Sequence, residues 1–254
     1  MSVAMPEFDG VIHAVPIAAK VRDESGEISY MALDERMERI ARKAWKWAAL
    51  RRKANAEKKI AIVFHNYPPT NANIGSAAGL DSPESVLRLL TAMHAAGYVM
   101  DEIPESSKAF MKLLTDHATN DRRFMSAAQA KSADGQLTAE QYGAFFTELP
   151  EQVRMQLIKD WGDAPGDVFN YDGTLLIPGT LNGNLFITVQ PPRGFGEDPG
   201  KLLHSPDAAP THHYIGYYHW LRDIWQADAV IHVGTHGSLE WLPGKSTALS
   251  NRCW

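Results

Sequence analysis

The clearest pattern in the chain is five apolar residues in a row, Ile60-Ala61-Ile62-Val63-Phe64, entered from Lys58-Lys59 and left through a loop rich in Asn, Gly and Pro, His65 to Asp81. An uninterrupted apolar run of this length between turn signals predicts a strand buried on both faces. Ser82-Pro83-Glu84 then predicts a helix start, with Ser as cap, Pro in the first turn and an acid behind it, and the helix runs to Gly97. The same order recurs near the C-terminus. Val230 to Val233 reads as a buried strand, it breaks at Gly234, and a helical turn is expected near Ser238. A third apolar run, Leu185 to Val189, leads into Gln190-Pro191-Pro192-Arg193-Gly194-Phe195-Gly196 and is joined to a strand at Leu175 to Ile177 through Pro178-Gly179 and Asn182-Gly183-Asn184.

Helical spacing marks a segment from about Asp34 to Lys53, where Met37, Ile40, Ala41, Ala44 and Ala48 form a stripe that Trp45 and Trp47 widen, a face predicted to pack. Asp34 can cap its start, and the late Arg/Lys cluster suits the negative end of the helix dipole. Further helices are predicted at Ser106 to His117, Thr138 to Phe146, Glu151 to Trp161 and Tyr214 to Trp225, with short strands at Val11 to Val15 and Tyr98 to Ile103, and a polar connection at Ser126 to Gln136. These elements predict an α/β fold: a layered sheet with Rossmann-like strand–loop–helix units over 59–254, a helical insertion over about 104–165, and an N-terminal segment, 1–58, carrying the basic amphipathic helix. The pattern does not set strand order.

Composition changes this picture little. At 254 residues, 44% hydrophobic and 22% charged, the sequence is that of a globular protein with a substantial core. No apolar run reaches membrane-spanning length and no secretory signal opens the chain, so the expected compartment is the cytoplasm. The single Cys253 rules out an internal disulfide and a cysteine-built metal site. Charge is more informative. Between Asp34 and Lys59 lie ten Lys/Arg against four acids, leaving 15 basic and 26 acidic residues elsewhere. A basic helix beside an acidic body suggests a solvated or docking face; the aromatic and glycine patterns of nucleic-acid modules are missing, and no nucleic-acid partner is expected.

Loops at the carboxyl ends of sheet strands are where α/β proteins hold ligands, which directs attention to three places. His236 lies in a glycine-bracketed loop, Glu240 follows four residues later, so that within a helical turn the two can face one point, and Lys245 follows a Pro-Gly turn. On the residues alone, a histidine that merely bonds its own turn is the favoured reading. Gly244-Lys245-Ser246 is not a phosphate loop: the place that needs glycine is Leu239, and Pro243 has no N–H for a cradle. His65 can bind metal or shuttle protons, and Asn66, Asn71 and Asn73 can hydrogen-bond carboxylates or amides, or simply close the loop on its own backbone. Gln190 and Arg193 sit in the third loop; an arginine fork suits carboxylates, and a surface arginine on a rigid Pro turn is equally compatible. His212-His213 at a helix start can offer one metal ligand.

The run Ala229 to Ser246, with its Gly-Thr-His-Gly-Ser-Leu-Glu-Trp-Leu-Pro-Gly core, resembles the signature of the large subunit of cobaltochelatase and magnesium chelatase, which insert a divalent metal into a tetrapyrrole. Three further segments resemble the same family in the same order: Phe64-His65-Asn66-Tyr67-Pro68-Pro69 with Asn71 to Asp81, Gln190 to Pro199, and Pro210 to His213. The His-Asn-Tyr-Pro-Pro form and Leu239-Glu240-Trp241-Leu242 are closer to the cobalt branch. The resemblance covers nearly the whole chain and implies an internal slice of a longer subunit, the remainder lying on the same or another chain. It implies His236, Glu240 and His65 as metal-handling or proton-accepting residues, with His236 and Glu240 on the metal, and Asn66, Asn71, Asn73, Gln190, Arg193 and Lys245 as substrate contacts. It also implies Co2+ as the inserted ion, with Mg2+ as the alternative, a tetrapyrrole substrate, and AAA+-type partner subunits that use the ATP. Two rivals stand beside it: a non-catalytic tetrapyrrole-binding or assembly module, and a small His/Glu metallohydrolase, for which a third ligand is missing.

Overall fold

The computed structural model describes residues 15–117, 120–121, 133–194, 205, 207–245 and 248–254, with Glu240 and Trp241 described by their backbone alone. The chain divides into two compact units, residues 1–52 with 243–254, and residues 53–242.

In the first unit, β1 (Ala18–Arg22) pairs antiparallel with β2 (Ile28–Ala32), and α1 (Asp34–Arg52) follows. The hairpin turn is closed by the Asp23 carboxylate, which accepts from Ser25 Oγ and the Glu27 N–H. The strand expected at Val11 to Val15 lies outside the described residues except for Val15, which is not in a strand. The helix forms where its spacing predicts, but its face does not pack as expected: none of its residues is buried, and Trp45 is 67% exposed.

The second unit is built on β3 (Ile60–Phe64), buried at all five positions. Among the described residues it is followed by α2 (Ser82–Ala95), α3 (Ser107–His117), β4 (Gly135–Thr138), α4 (Ala139–Glu148) and α5 (Glu151–Trp161). Next come β5 (Asn170–Tyr171), β6 (Thr174–Ile177), β7 (Gly179–Asn182), β8 (Leu185–Val189), α6 (His212–His219) and β9 (Ala229–Val233). The main sheet has the order β7-β8-β3-β9; β8, β3 and β9 are parallel and β7 is antiparallel at the edge. A smaller antiparallel sheet has the order β4-β6-β5.

Alternation along β3 and β8 makes the layers. Ile60, Ile62, Phe64, Leu185, Ile187 and Val189 face a core shared with Val86, Leu90 and Met93 of α2 and Phe110 and Leu114 of α3. Ala61, Val63 and Phe186 face the other way, onto Tyr142, Tyr217, Trp220 and Leu221 and the inner residues of the small sheet. A strand with cores on both sides must be apolar throughout, which is the pattern of Ile60 to Phe64. The expectation that Val230 to Val233 is buried is corrected. β9 is the edge strand, and Val230 and His232 are exposed while Ile231 and Val233 pack on the α2 side.

Two local expectations also change. The cap of α2 is Asp81, which accepts from the Glu84 N–H; Ser82 is buried one place later and donates its hydroxyl to Gly75 O. Tyr98 to Ile103 forms no strand, because Asn182 Oδ1 accepts from the Asp101 and Glu102 N–H groups and its Nδ2 donates to Glu102 O. One side chain there takes the place of a ladder. The connection expected at Ser126 to Gln136 lies outside the described residues up to residue 132, and Gly135 and Gln136 belong to β4, paired with β6.

Candidate active site

Parallel pairing brings three loops together. Phe64 is in register with Val189 on one side and Val233 on the other, so His65, Gln190 and Gly234 leave the sheet side by side at its carboxyl edge. The ladder continues one step beyond the strands: His65 N–H donates to Val233 O at 2.8 Å and Gln190 N–H to Phe64 O at 2.8 Å. Gly234 is held at φ +143°, and a Cβ there would sit 2.4 Å from His65 Cβ, so only glycine lets these two loops approach.

Beyond this edge the loops are tied by side chains. Thr235 Oγ1 donates to Ser76 O (3.1 Å), which fastens the β9 loop to the β3 loop. The Gln190 carboxamide works on the other side: Oε1 accepts from the Ser238 N–H (2.9 Å) and Nε2 donates to Tyr218 Oη (2.8 Å). Tyr214 Oη lies 3.0 Å from Ser238 Oγ, and burial pushes its phenol up to about 12. Burial likewise raises Tyr218 well above its ordinary value. The layer beneath the loops is therefore made of neutral hydroxyls and amides.

A further tie comes from the short segment Asn120-Asp121. Asn120 is buried, accepts from Asn66 Nδ2 (2.6 Å) and donates through its own Nδ2 to Gln190 O (2.8 Å); Asp121 Oδ2 accepts from the Asn71 N–H at 3.2 Å. These two residues escape a sequence reading because an Asn-Asp pair just past a helix carries no periodicity.

Among the residues singled out from sequence, His65 is half-buried and His236 exposed, in adjoining loops of this cluster. Glu240 belongs to a four-residue 3₁₀ turn, Ser238–Trp241, entered through Gly237. The expected turn therefore starts at Ser238 but is 3₁₀, and His236 precedes it. Asn66 is 3% exposed. Asn73 folds back on its own loop, donating to Pro68 O and Thr70 Oγ1. Gln190 and Arg193 serve as braces. Arg193 is buried rather than on the surface, its Nη2 donates to Ser205 O (2.5 Å) and Ala208 O (2.7 Å), and burial pulls its pKa down. Lys245 is exposed and belongs to the first unit, not to the unit that carries the three loops.

The adjacent histidines are interior pieces. His212 Nε2 faces Gly162 O at 3.0 Å, an acceptor, which fixes the proton there and leaves Nδ1 to accept from Tyr142 Oη at 2.7 Å. His213 Nε2 likewise donates to Leu176 O at 2.6 Å, and burial lowers its pKa to about 4. The suggestion that one of them offers a metal ligand is corrected: both are buried, and each is bonded within its own layer. Among the described residues no three His, Cys, Asp or Glu side chains form a metal-holding group, and no helix is long and apolar enough to cross a membrane.

Comparison with known proteins gives a consistent result. The chain is 51% identical to an uncharacterised protein of Methanocaldococcus jannaschii, covering all of this chain and 21% of that one. It is 40% identical to the aerobic cobaltochelatase subunit CobN of Pseudomonas aeruginosa, again over all of this chain and 21% of the relative. It is 36% identical to the chloroplastic magnesium-chelatase subunit ChlH of Oryza sativa, of which it covers 17%. The catalytic subunit of cobaltochelatase from Mycobacterium tuberculosis superposes with a TM-score of 0.83 at 38% identity, over 99% of this chain and 21% of that one. The chain thus spans about a fifth of the length of these relatives. The CobN/Magnesium Chelatase family profile matches residues 1–254, and the chain belongs to that family.

Proposed function

We propose that this chain is part of the tetrapyrrole-binding, metal-inserting subunit of an ATP-dependent chelatase, with Co2+ as the inserted ion and a corrin precursor as the macrocycle. The observation that carries this reading is the meeting of the His65, Gln190 and His236 loops at one sheet edge, in a chain that matches a chelatase family over its whole length. Metal insertion needs a base for the inner N–H protons and a weak, open ligand set that releases its ion. Exposed His236 and half-buried His65 supply imidazoles suited to both tasks. Glu240 is assigned as the carboxylate partner of His236 on the incoming metal. ATP hydrolysis is assigned to AAA+-type partner subunits, as the resemblance to the chelatase large subunit implies.

The test is insertion of Co2+ into a corrin precursor, followed by absorbance with the full chain, partner subunits and ATP, and run in parallel with Mg2+ and a porphyrin. Cobalt turnover that requires this chain supports the reading. Magnesium turnover alone moves it to the other branch of the family, a reading the 36% identity to ChlH keeps open. Tetrapyrrole binding without insertion of either ion favours a non-catalytic module.

A further inference from the structure

Asn66 is buried, and its two amide ends are unequal. The orientation follows from the chain of acceptors. Gln190 O can only accept, so the group that meets it at 2.8 Å is Asn120 Nδ2, and Asn120 Oδ1 is turned to Asn66. An oxygen there needs a donor, so Asn66 presents its Nδ2, at 2.6 Å. Asn66 Oδ1 is then left as a buried acceptor with no hydrogen-bond partner among the described residues. Leaving such a group unpaired is costly, so an unpaired buried acceptor in a native fold calls for a donor to complete it. Asn66 directly follows His65 at the end of β3, beside the Gln190 and Gly234 loops.

From this arrangement we infer that Asn66 Oδ1 is a hydrogen-bond acceptor for an N–H donor of the bound macrocycle, and that Asn120 is the positioning residue that keeps the oxygen, not the nitrogen, turned to it. The inference rests on the proposed tetrapyrrole-binding function and narrows it. An acceptor at this point disfavours a carboxylate and selects a group that carries hydrogen on nitrogen. Two parts of a tetrapyrrole do so: the inner N–H groups of the metal-free ring and any peripheral carboxamide.

Two substitutions separate a ligand role from a structural one. Asn66→Asp keeps an acceptor oxygen and loses the Nδ2 bond to Asn120; Asn66→Leu keeps the bulk and loses both. Binding to the full chain is measured by fluorescence quenching with a porphyrin dicarboxylic acid, its zinc complex and its diamide. The expected result is a loss of roughly tenfold in affinity in the Leu variant, for one bidentate-free hydrogen bond left unmade, and retention within about threefold in the Asp variant. If the inner N–H groups are the donors, the difference between the variants vanishes with the zinc complex. If a peripheral carboxamide is the donor, the difference appears only with the diamide. Equal losses in both variants assign Asn66 to the Asn120 bond alone and overturn the inference, as does full affinity in both. If Asn66→Leu does not fold, full affinity for every probe in Asn66→Ala, or loss in Asn66→Asp as large as in Asn66→Ala, overturns it equally. Wild-type protein that binds none of the probes overturns the tetrapyrrole reading itself.

Discussion

The two ends of the same parallel strands are built in different ways. At the amino edge, charge is locked: Asp228 Oδ2, just before β9, accepts from Lys53 Nζ at 2.6 Å and from the Lys59 N–H at 2.7 Å, just before β3. Lys59 Nζ reaches Trp225 O, and Ile60 N–H donates to Asn184 O. At the carboxyl edge the ties are carboxamides, hydroxyls, a glycine contact and the Asp121 carboxylate on the Asn71 N–H, and one buried acceptor, Asn66 Oδ1, has no partner among the described residues. One edge is closed on itself. The other is held in place while leaving imidazoles near its surface, which is the division of labour expected when ligands bind at carboxyl ends of strands.

The comparison breaks most visibly if the carboxyl edge tolerates a larger residue at its tightest point. Gly234→Ala places a methyl group 2.4 Å from His65 Cβ on a backbone at φ +143°, and overpacking with strain should cost about 4 kcal/mol, read by urea unfolding. A cost within about 1 kcal/mol would show that the two loops are not in close contact.

Acid should loosen the same edge through the layer below it. His213 titrates at about 4 in the fold against an ordinary 6.5, because burial disfavours its charged form. Its stabilising contribution is complete above pH 6.5 and is lost as pH falls to 4, where the unfolded chain binds the extra proton; the window is worth about 3 kcal/mol. Burial lowers His212 as well, so its contribution has the same sign. Both histidines lie on α6, which also carries the Tyr214 and Tyr218 partners of the loops. Unfolding followed from pH 7 to 4 should therefore show a slope that is reduced in His213→Phe; an unchanged slope would contradict the assignment.

The amino edge predicts a smaller effect. Asp228→Ala removes an acceptor from Lys53 and from the Lys59 N–H and should cost about 2 kcal/mol, with tetrapyrrole affinity unchanged. A loss of affinity without a loss of stability would reverse the roles assigned to the two edges.

Much of this contrast was legible in the sequence, for physical reasons that differ by element. β3 and β8 were legible because burial on both faces demands uninterrupted apolar residues, and the loop after each is marked by Asn, Gly and Pro. β9 was placed correctly but read as buried, because Val230 to Val233 is as apolar as an interior strand although one side of it is an edge. The small sheet escaped in part. β4 and β5 are short, and their pairing with β6 is a long-range property with no local pattern. At the site, the glycine-bracketed His236 loop and the His65 loop were visible, whereas Asn120 was not. Gln190 and Arg193 were visible as polar groups at a strand end, but only the folded chain brings Ser238, Tyr218, Ser205 and Ala208 to them as partners.

The smallest expected change in stability accompanies the most direct test of the account. His236 is exposed in its loop, so His236→Ala should shift unfolding by no more than about 0.5 kcal/mol. Cobalt insertion into the corrin precursor, followed by absorbance with partner subunits and ATP at limiting and saturating metal, should fall at least about tenfold in His236→Ala and in Glu240→Ala while the melting temperature holds. Unchanged insertion rates in both variants at both metal concentrations would contradict the claim that the carboxyl edge of this sheet handles the metal.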